Sequence, residues 1–396
     1  MNKLIKSIKV QLKPNNKQES KLRESSGLGR FSYNWALSRQ QENYKSGGKF
    51  ISDNDLRKEF TVLKQQEGYE WIGNYSNNIP KQAIKDACEA YKRFFKGYSK
   101  FPRYKSKRKG KPSFYVDTSK IQFTETHVKL EKLTMSKKKN KQEFNKVRLC
   151  ERGRIPYKKG TKYYNPRVIY DGIHWWITVG IDYDESKEIP TSEGIGIDLG
   201  VSELAICSDG ERYKNINKSK KMKQLEKRKK RLQRKVSKKY EIGKEGENRF
   251  TKTSNIIKLE NLLRVLNQKI SNKRKNYLHQ TTTEIIKRKP NFIVLEDLNV
   301  SGMIKNRCLS KAIQNQSFYE FRRQIEYKSK WNNIEFIIAY RYFPSSKNCS
   351  QCGGYKKDLK LSDREYICKE CGSILDRDYN ASLNLKGYGT SVINQS

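Results

Sequence analysis

Four of the eight cysteines stand as C-x2-C-x15-C-x2-C, at Cys349, Cys352, Cys368 and Cys371, and no other feature of the 396-residue chain restricts its local fold so tightly. Each pair can place two thiolates on one tight turn, and Gly353 and Gly372 directly after them let the backbone wrap around an ion. The spacing predicts one structural Zn2+ in a tetrahedral shell. Four thiolates close that shell, leaving no position for water, so the chemistry of the chain must lie elsewhere. Cys88, Cys150, Cys207 and Cys308 stand alone, a pattern of a reducing compartment rather than a disulfide framework.

Acidic residues are the other candidates for chemistry. Asp198 lies in "GIGIDLG", Glu296 in "FIVLEDL", and Asp376 and Asp378 in "DRDYNAS" just behind the cysteines. Asp198 and Glu296 sit within or directly after short apolar runs, where a carboxylate is costly unless it meets a cation or a donor. Singly, each reads more readily as a cap or a salt-bridge partner. Together in one α/β domain they fit a carboxylate cluster for two Mg2+ ions about 3.5 to 4 Å apart, suited to in-line phosphodiester displacement. Alternation puts Glu296 on the face of Phe292 and Val294, with Asp297 on the other.

Charge identifies the partner class. The chain carries 85 Lys+Arg against 42 Asp+Glu, a formal +43, interleaved with 24 Tyr, 15 Phe and 5 Trp. Such a surface binds a polyanion, and aromatic faces among the cations favour nucleic acid. No apolar run approaches the ~20 residues of a membrane helix. The opening "MNKLIKSIKVQLKP" alternates like a strand and lacks the apolar core of a signal peptide, so a cytoplasmic protein is expected.

The pattern divides the chain. Residues 3–13 read as a strand ended by Pro14, Lys17 to about Tyr44 as a helix, and Pro80 to Tyr98 as a second helix with Pro80 in its first turn. Short alternating runs through residues 113–185 suggest a β domain that takes in the first strand, with the helical unit inserted. "ESKEIPTSE" (185–193) reads as a linker. Beyond it, "GIGIDLG" and "ELAICSDG" predict two antiparallel strands, and "NFIVLEDL" and "IEFIIAYRYF" two more among long helices, an α/β domain. Residues 218–239 hold thirteen Lys/Arg against Glu226 alone and pair as a helical hairpin with 256–270. A short helix, "RDYNASLNLKG", closes the domain, and the residues after Gly387 read as frayed.

"GIDLG", "VLEDL" and the cysteine knuckle followed by "DRDYNAS" resemble the three RuvC-like motifs of TnpB, the transposon-encoded RNA-guided DNA nucleases related to miniature type V CRISPR effectors. "GRFSYNWAL", "AYKRFFKG", "FPRYKSKR" and "YFPSSKNCSQCG" extend the resemblance over nearly the whole chain. It implies a multidomain α+β protein: a wedge-like β-barrel (1–30 and 113–185), a helical recognition insert (31–112), an RNase H-like RuvC nuclease domain (194–345 and 373–388) and a zinc knuckle (346–372). It also implies Asp198, Glu296 and Asp378 as the catalytic Mg2+ ligands, with Asp376 a neighbour.

The partners the resemblance implies are a guide RNA from the transposon end and double-stranded target DNA. Base pairing would carry sequence while the protein holds heteroduplex shape. Lys220, Lys221, Lys227, Arg228, Arg231 and Arg234 become a heteroduplex wall, and Asn77, Asn78, Lys81 and Gln82 readers of a short target-adjacent motif. A monomer with its RNA, at the nucleoid of a prokaryotic cell, is expected. The rival readings are a miniature CRISPR effector, separated by a neighbouring repeat array, a cleavage-deficient repressor, which should lack one of the acids, and a transposase.

Overall fold

The computed structural model describes residues 4–395 apart from 109, 135, 137, 139–141, 184–190, 192, 243–251 and 361–362. The chain divides into two compact units, Met1–Tyr183 and Asp184–Ser396. Most of the expected linker, 185–193, lies outside the described residues.

In the first unit β1 (Leu4–Lys13) alternates along its length, Val10 and Leu12 being buried between exposed neighbours. The helix α1 (Asn16–Lys45) follows at once because Asn15 caps it: its side chain accepts from the Gln18 N–H at 2.8 Å, while Gln18 Oε1 accepts from the Asn15 N–H at 3.0 Å. It runs unbroken through residues 30 and 31. Then come α2 (Asp53–Leu63) and α3 (Asn78–Phe95), the latter burying Ile84, Ala87, Cys88 and Tyr91 at helical spacing. Sequence periodicity missed α2, since it buries only Leu56 and Phe60.

The strands β2 (Ser113–Tyr115), β3 (Gln122–Phe123), β4 (His127–Lys129), β5 (Lys146–Leu149), β6 (Tyr163–Tyr170) and β7 (Trp175–Tyr183) join β1 in one sheet, ordered β2-β6-β7-β1-β5-β4-β3. β1 pairs antiparallel with β7 from Leu4 opposite Tyr183 to Leu12 opposite Trp175. The expected closed barrel is not found among the described residues. β2 and β3, three and two residues long, stand at opposite edges and are too short to close the sheet on each other.

The second unit is built on β8 (Ile195–Leu199), β9 (Glu203–Cys207), β10 (Arg212–Lys214), β11 (Phe292–Glu296) and β12 (Glu335–Ala339), in the order β10-β9-β8-β11-β12. β8 is antiparallel to β9 and parallel to β11, which is parallel to β12. Between β10 and β11 lie α4 (Lys220–Ile242) and α5 (Ser254–Lys287). Between β11 and β12 lie α6 (Val300–Met303), α7 (Ser310–Gln316) and α8 (Phe318–Trp331). The chain ends in a knuckle hairpin, β13 (Glu365–Ile367) with β14 (Ile374–Asp376), and then α9 (Arg377–Gln395). α5 outruns the expected 256–270 because Thr281 and Thr282 are buried core positions that do not read as apolar. Nor is α9 frayed after Gly387: Tyr388, Val392 and Ile393 pack on Phe292, Val294 and Ile337. Among the described residues no helix is long and apolar enough to cross a membrane.

The two faces of this sheet bury different helices. Ile195, Ile197, Ile293 and Leu295 face α5 and α8, meeting Leu278, Ile285, Phe321 and Ile325. The opposite face takes α9, and glycine permits the approach: a Cβ on Gly196 would overlap the Ser382 carbonyl oxygen and the Lys386 nitrogen, both backbone atoms of α9. Gly389 on α9 answers, since a Cβ there would run into Phe292 and Val294. Gly196→Ala is therefore expected to cost about 1–3 kcal/mol or more, because the obstruction is helix backbone. Denaturant unfolding checks it, and a variant as stable as the parent would show that α9 can lift without penalty.

Candidate active site and metal centre

Strand register brings the first two acids together. Leu295 pairs with Ile197, so Glu296, one residue on, stands beside Asp198 on the neighbouring parallel strand, with strands about 4.8 Å apart. Both share the face of Gly196 and Val294, where α9 packs. Ser382 of α9 lies over Gly196, and Asp378, one turn earlier, is thereby carried to the level of Asp198. Three carboxylates that are nearly two hundred positions apart in sequence thus face one another at the end of the sheet.

The electrostatics show their closeness. Burial, followed by the Glu296 and Asp378 carboxylates, pushes the Asp198 carboxyl well above the usual carboxylate range, with Arg377 pulling the other way. Burial, and then Asp378, raises Glu296 against the opposing hydrogen bond from Ser345. Each acid is steadied differently. The Ser345 hydroxyl donates to Glu296 Oε1, and Asp378 Oδ1 accepts from Arg377 Nε at 2.9 Å and Nη2 at 2.7 Å. Arg364 Nη1 stands 3.8 Å from Asp378 Oδ2. Asp376 has another duty: its Oδ1 accepts from the N–H groups of Asp378 and Tyr379 at 3.1 and 2.9 Å, capping α9, and pairs with Arg212 at 3.2 Å. Among the described residues the three carboxylates are not drawn together as tightly as the cysteine sulphurs, and Arg377 offsets part of their charge.

The four cysteines form the tighter cluster, with all four sulphurs within 4.8 Å of one another. Cys349 and Cys371 are 3.6 Å apart, as are Cys352 and Cys368. Bonds of about 2.3 Å at tetrahedral angles would set sulphurs about 3.8 Å apart, so the cage fits such an ion. The turns match: the Gly353 N–H donates to Cys349 O at 2.9 Å and the Gly372 N–H to Cys368 O at 3.2 Å, both glycines having positive φ, 79° and 71°. Burial works to raise the Cys349 thiol, but Ser373 and the backbone N–H groups around Cys352 outweigh it and bring it to about 6. Among the described residues this is the one cysteine cluster that could hold a metal ion, at the spacing the sequence showed.

Cage and acids are joined. Asn380 Nδ2 donates to Asn348 O at 2.7 Å while its Oδ1 accepts from the Ser350 N–H at 2.9 Å. Asn384 Nδ2 donates to Ser345 O at 2.7 Å and Asn348 O at 2.8 Å. The helix bearing Asp378 is thus fastened to the segment that leads into the knuckle and carries Ser345. Sequence reading missed Ser345, Asn380 and Asn384 as positioning residues, although "YFPSSKN" and "DRDYNAS" contain them.

The expected nucleic-acid contacts fall into two groups. Lys220, Lys221, Lys227, Arg228, Arg231 and Arg234 are all exposed along α4, which buries Met222 and packs Leu225 and Leu232 against Leu266 and Ile270 of α5. In the first unit Asn77 and Lys81 are exposed, and Asn77 Oδ1 accepts from Lys64 at 3.3 Å. Asn78 donates to Glu131 at 3.2 Å and Gln82 to Asp86 at 2.8 Å, so both amides already hold partners within the fold.

Family models match separate stretches of the chain. One described as "Probable transposase" (OrfB_IS605) matches residues 177–307, a helix-turn-helix domain model (HTH_OrfB_IS605) residues 1–49, and a Cas12f1-like TNB domain model residues 318–385. The "Putative RNA-guided DNA endonuclease InsQ" of Escherichia coli (strain K12) is 28% identical over 407 residues, covering 99% of this chain and 94% of that protein. A "Putative RNA-guided DNA endonuclease" of Streptomyces pristinaespiralis is likewise 28% identical, over 99% of this chain and 91% of its own. In fold, the chain is similar to a protein in the solved Cas12f1-sgRNA-target DNA complex, with a TM-score of 0.60 at 14% identity over 98% of this chain and 99% of that one.

The raised Asp198 carboxyl makes a signed prediction. Its folded pKa exceeds the unfolded value of about 3.9, so the folded state binds the extra proton, and this group's contribution to stability is lost as pH rises through the folded value. Asp198→Asn should therefore melt above the metal-free parent, with the gap widening from about pH 4 upward. Thermal scans of both proteins in chelator check this; a gap independent of pH would show that neither burial nor neighbouring charge raises Asp198.

Proposed function

The chain belongs to the TnpB family, and from that premise we propose that it is an RNA-guided DNA endonuclease of transposon type, hydrolysing phosphodiester bonds of target DNA at Asp198, Glu296 and Asp378. The observation that carries the reading is the meeting of these three carboxylates at the ends of β8 and β11 and in the first turn of α9, two of them raised first by burial and then by their neighbours' charge. A chain of formal charge +43 would hold such acids against a phosphate backbone only with cations between them.

In this reading the second unit is a RuvC-like nuclease domain interrupted by the knuckle, and the first a wedge-like β domain with a helical insert that reads the target-adjacent motif. Two Mg2+ ions, when bound by Asp198, Glu296 and Asp378, would supply an activated water and stabilise the leaving oxygen. The chain's own residues prepare that site. Ser345 orients Glu296, Asp376 fixes the first turn of α9, and Arg377 holds the Asp378 carboxylate in place through two hydrogen bonds to its Oδ1. Zn2+ at the four thiolates would stiffen the knuckle and take no part in the reaction. Guide RNA would pair with the target strand beside the basic face of α4 in a monomeric complex. In this reading the work is done in the cytoplasm, at the nucleoid, where DNA and reduced thiolates are both at hand.

Sequencing the RNA that copurifies with the protein, then cutting a matching target, tests the function. Asp198→Ala or Glu296→Ala should lower cleavage by about 1,000-fold or more while RNA-dependent DNA binding persists. Normal cleavage by either variant would remove the site. Elemental analysis should find one zinc per chain, reduced in Cys368→Ser together with thermal stability. A metal-free wild type with unchanged stability would remove the knuckle assignment.

A further inference from the structure

Next to Glu296 two arginines converge on one carboxylate. Asp297 follows β11 directly, and its Oδ1 accepts from Arg322 Nη1 at 3.0 Å while its Oδ2 accepts from Arg341 Nε and Nη2 at 3.1 and 2.7 Å. Arg322 comes from α8 and Arg341 from the segment just beyond β12, so the three meet at the carboxyl ends of parallel strands, where open α/β sheets bind ligands. Two guanidiniums against one carboxylate leave a net positive charge, and the remaining N–H donors of both have no acceptor among the described residues.

Both guanidiniums line a cavity of about 220 Å³ whose wall also holds Glu296 and Tyr319, and the Tyr319 side chain is exposed, at 73%. Exposed ion pairs contribute little to stability, so bringing a second arginine to Asp297 is poorly explained as a structural brace. A planar fork held in place by an acid, with donors to spare, matches the geometry of a phosphate.

We propose that Arg322 and Arg341, oriented by Asp297, form a phosphate-binding subsite that seats one backbone phosphate of the DNA strand being cut, beside the scissile one, with Tyr319 offering its ring to the adjacent base. The subsite rests on the nuclease reading of the three acids. It would set where along the strand the scissile bond falls relative to Asp198 and Glu296. Asp297 is a positioning residue here, since it touches the arginines and not the DNA.

The test uses the full chain with its own RNA and matching target duplexes that carry a single neutral methylphosphonate linkage, stepped one position at a time on both sides of the cut. Wild type should lose about tenfold in kcat/KM at one linkage outside the scissile bond. Arg322→Ala/Arg341→Ala should cut the unmodified target about tenfold or more slowly and show no further loss at that linkage, with its melting temperature unchanged. Arg322→Lys/Arg341→Lys covers the case of an unstable alanine variant and should retain part of the sensitivity. Asp297→Asn should weaken the discrimination without shifting the linkage. The subsite is overturned if the double variants respond to every linkage as wild type does. A wild type that cuts nothing overturns the nuclease reading first, and the subsite with it.

Discussion

Repulsion among three carboxylates governs the second unit, because a fold that gathers them must supply packing and hydrogen bonds that hold against it. The register of β8 and β11 makes Asp198 and Glu296 backbone neighbours on one face of the sheet. The third acid arrives on α9, which reaches the strand only because Gly196 has no side chain. Apolar burial of Leu385 and Gly389 on Phe292 and Val294 keeps the helix down, while Ser345 and Arg377 quiet two of the charges. In the proposed reading, a divalent cation bound at these acids would stabilise the folded chain.

The same economy of placement shows in the division of labour between neighbouring acids. Glu296 and Asp297 are consecutive, yet the first faces α9 and the second gathers Arg322 and Arg341. Asp376 and Asp378 are two apart, yet the first caps the helix and the second projects from its opening turn toward Asp198. In both pairs, backbone geometry alone separates a structural carboxylate from one available to a ligand.

What the sequence made legible follows from where signals are local. β8 and β11 were plain as apolar runs with an acid at or next to their last residue, and the cysteine cage as a spacing. Asp376 and Asp378 could not be told apart by composition, because the difference lies in which backbone N–H groups Asp376 meets. β10, three residues long, carries too few positions to show alternation. The closed barrel expected for the first unit depended on strands whose lengths are set by their partners, and β2 and β3 turned out to be stubs. Arg322, Arg341 and Ser345 gave no sign, since each meets its acid only through chain folding and an isolated arginine or serine reads as surface.

The asparagines of α9 have a mechanical consequence. Asn384 grips the carbonyls of Ser345 and Asn348 at once, and Asn380 grips Asn348 and Ser350, so the stretch from Ser345 to Ser350 behaves as a splint bound to the helix along one side. Any distortion of the cage at Cys349 is then transmitted along the splint to the hydroxyl that steadies Glu296. The thiol cluster is in this way tied to the aim of the acids.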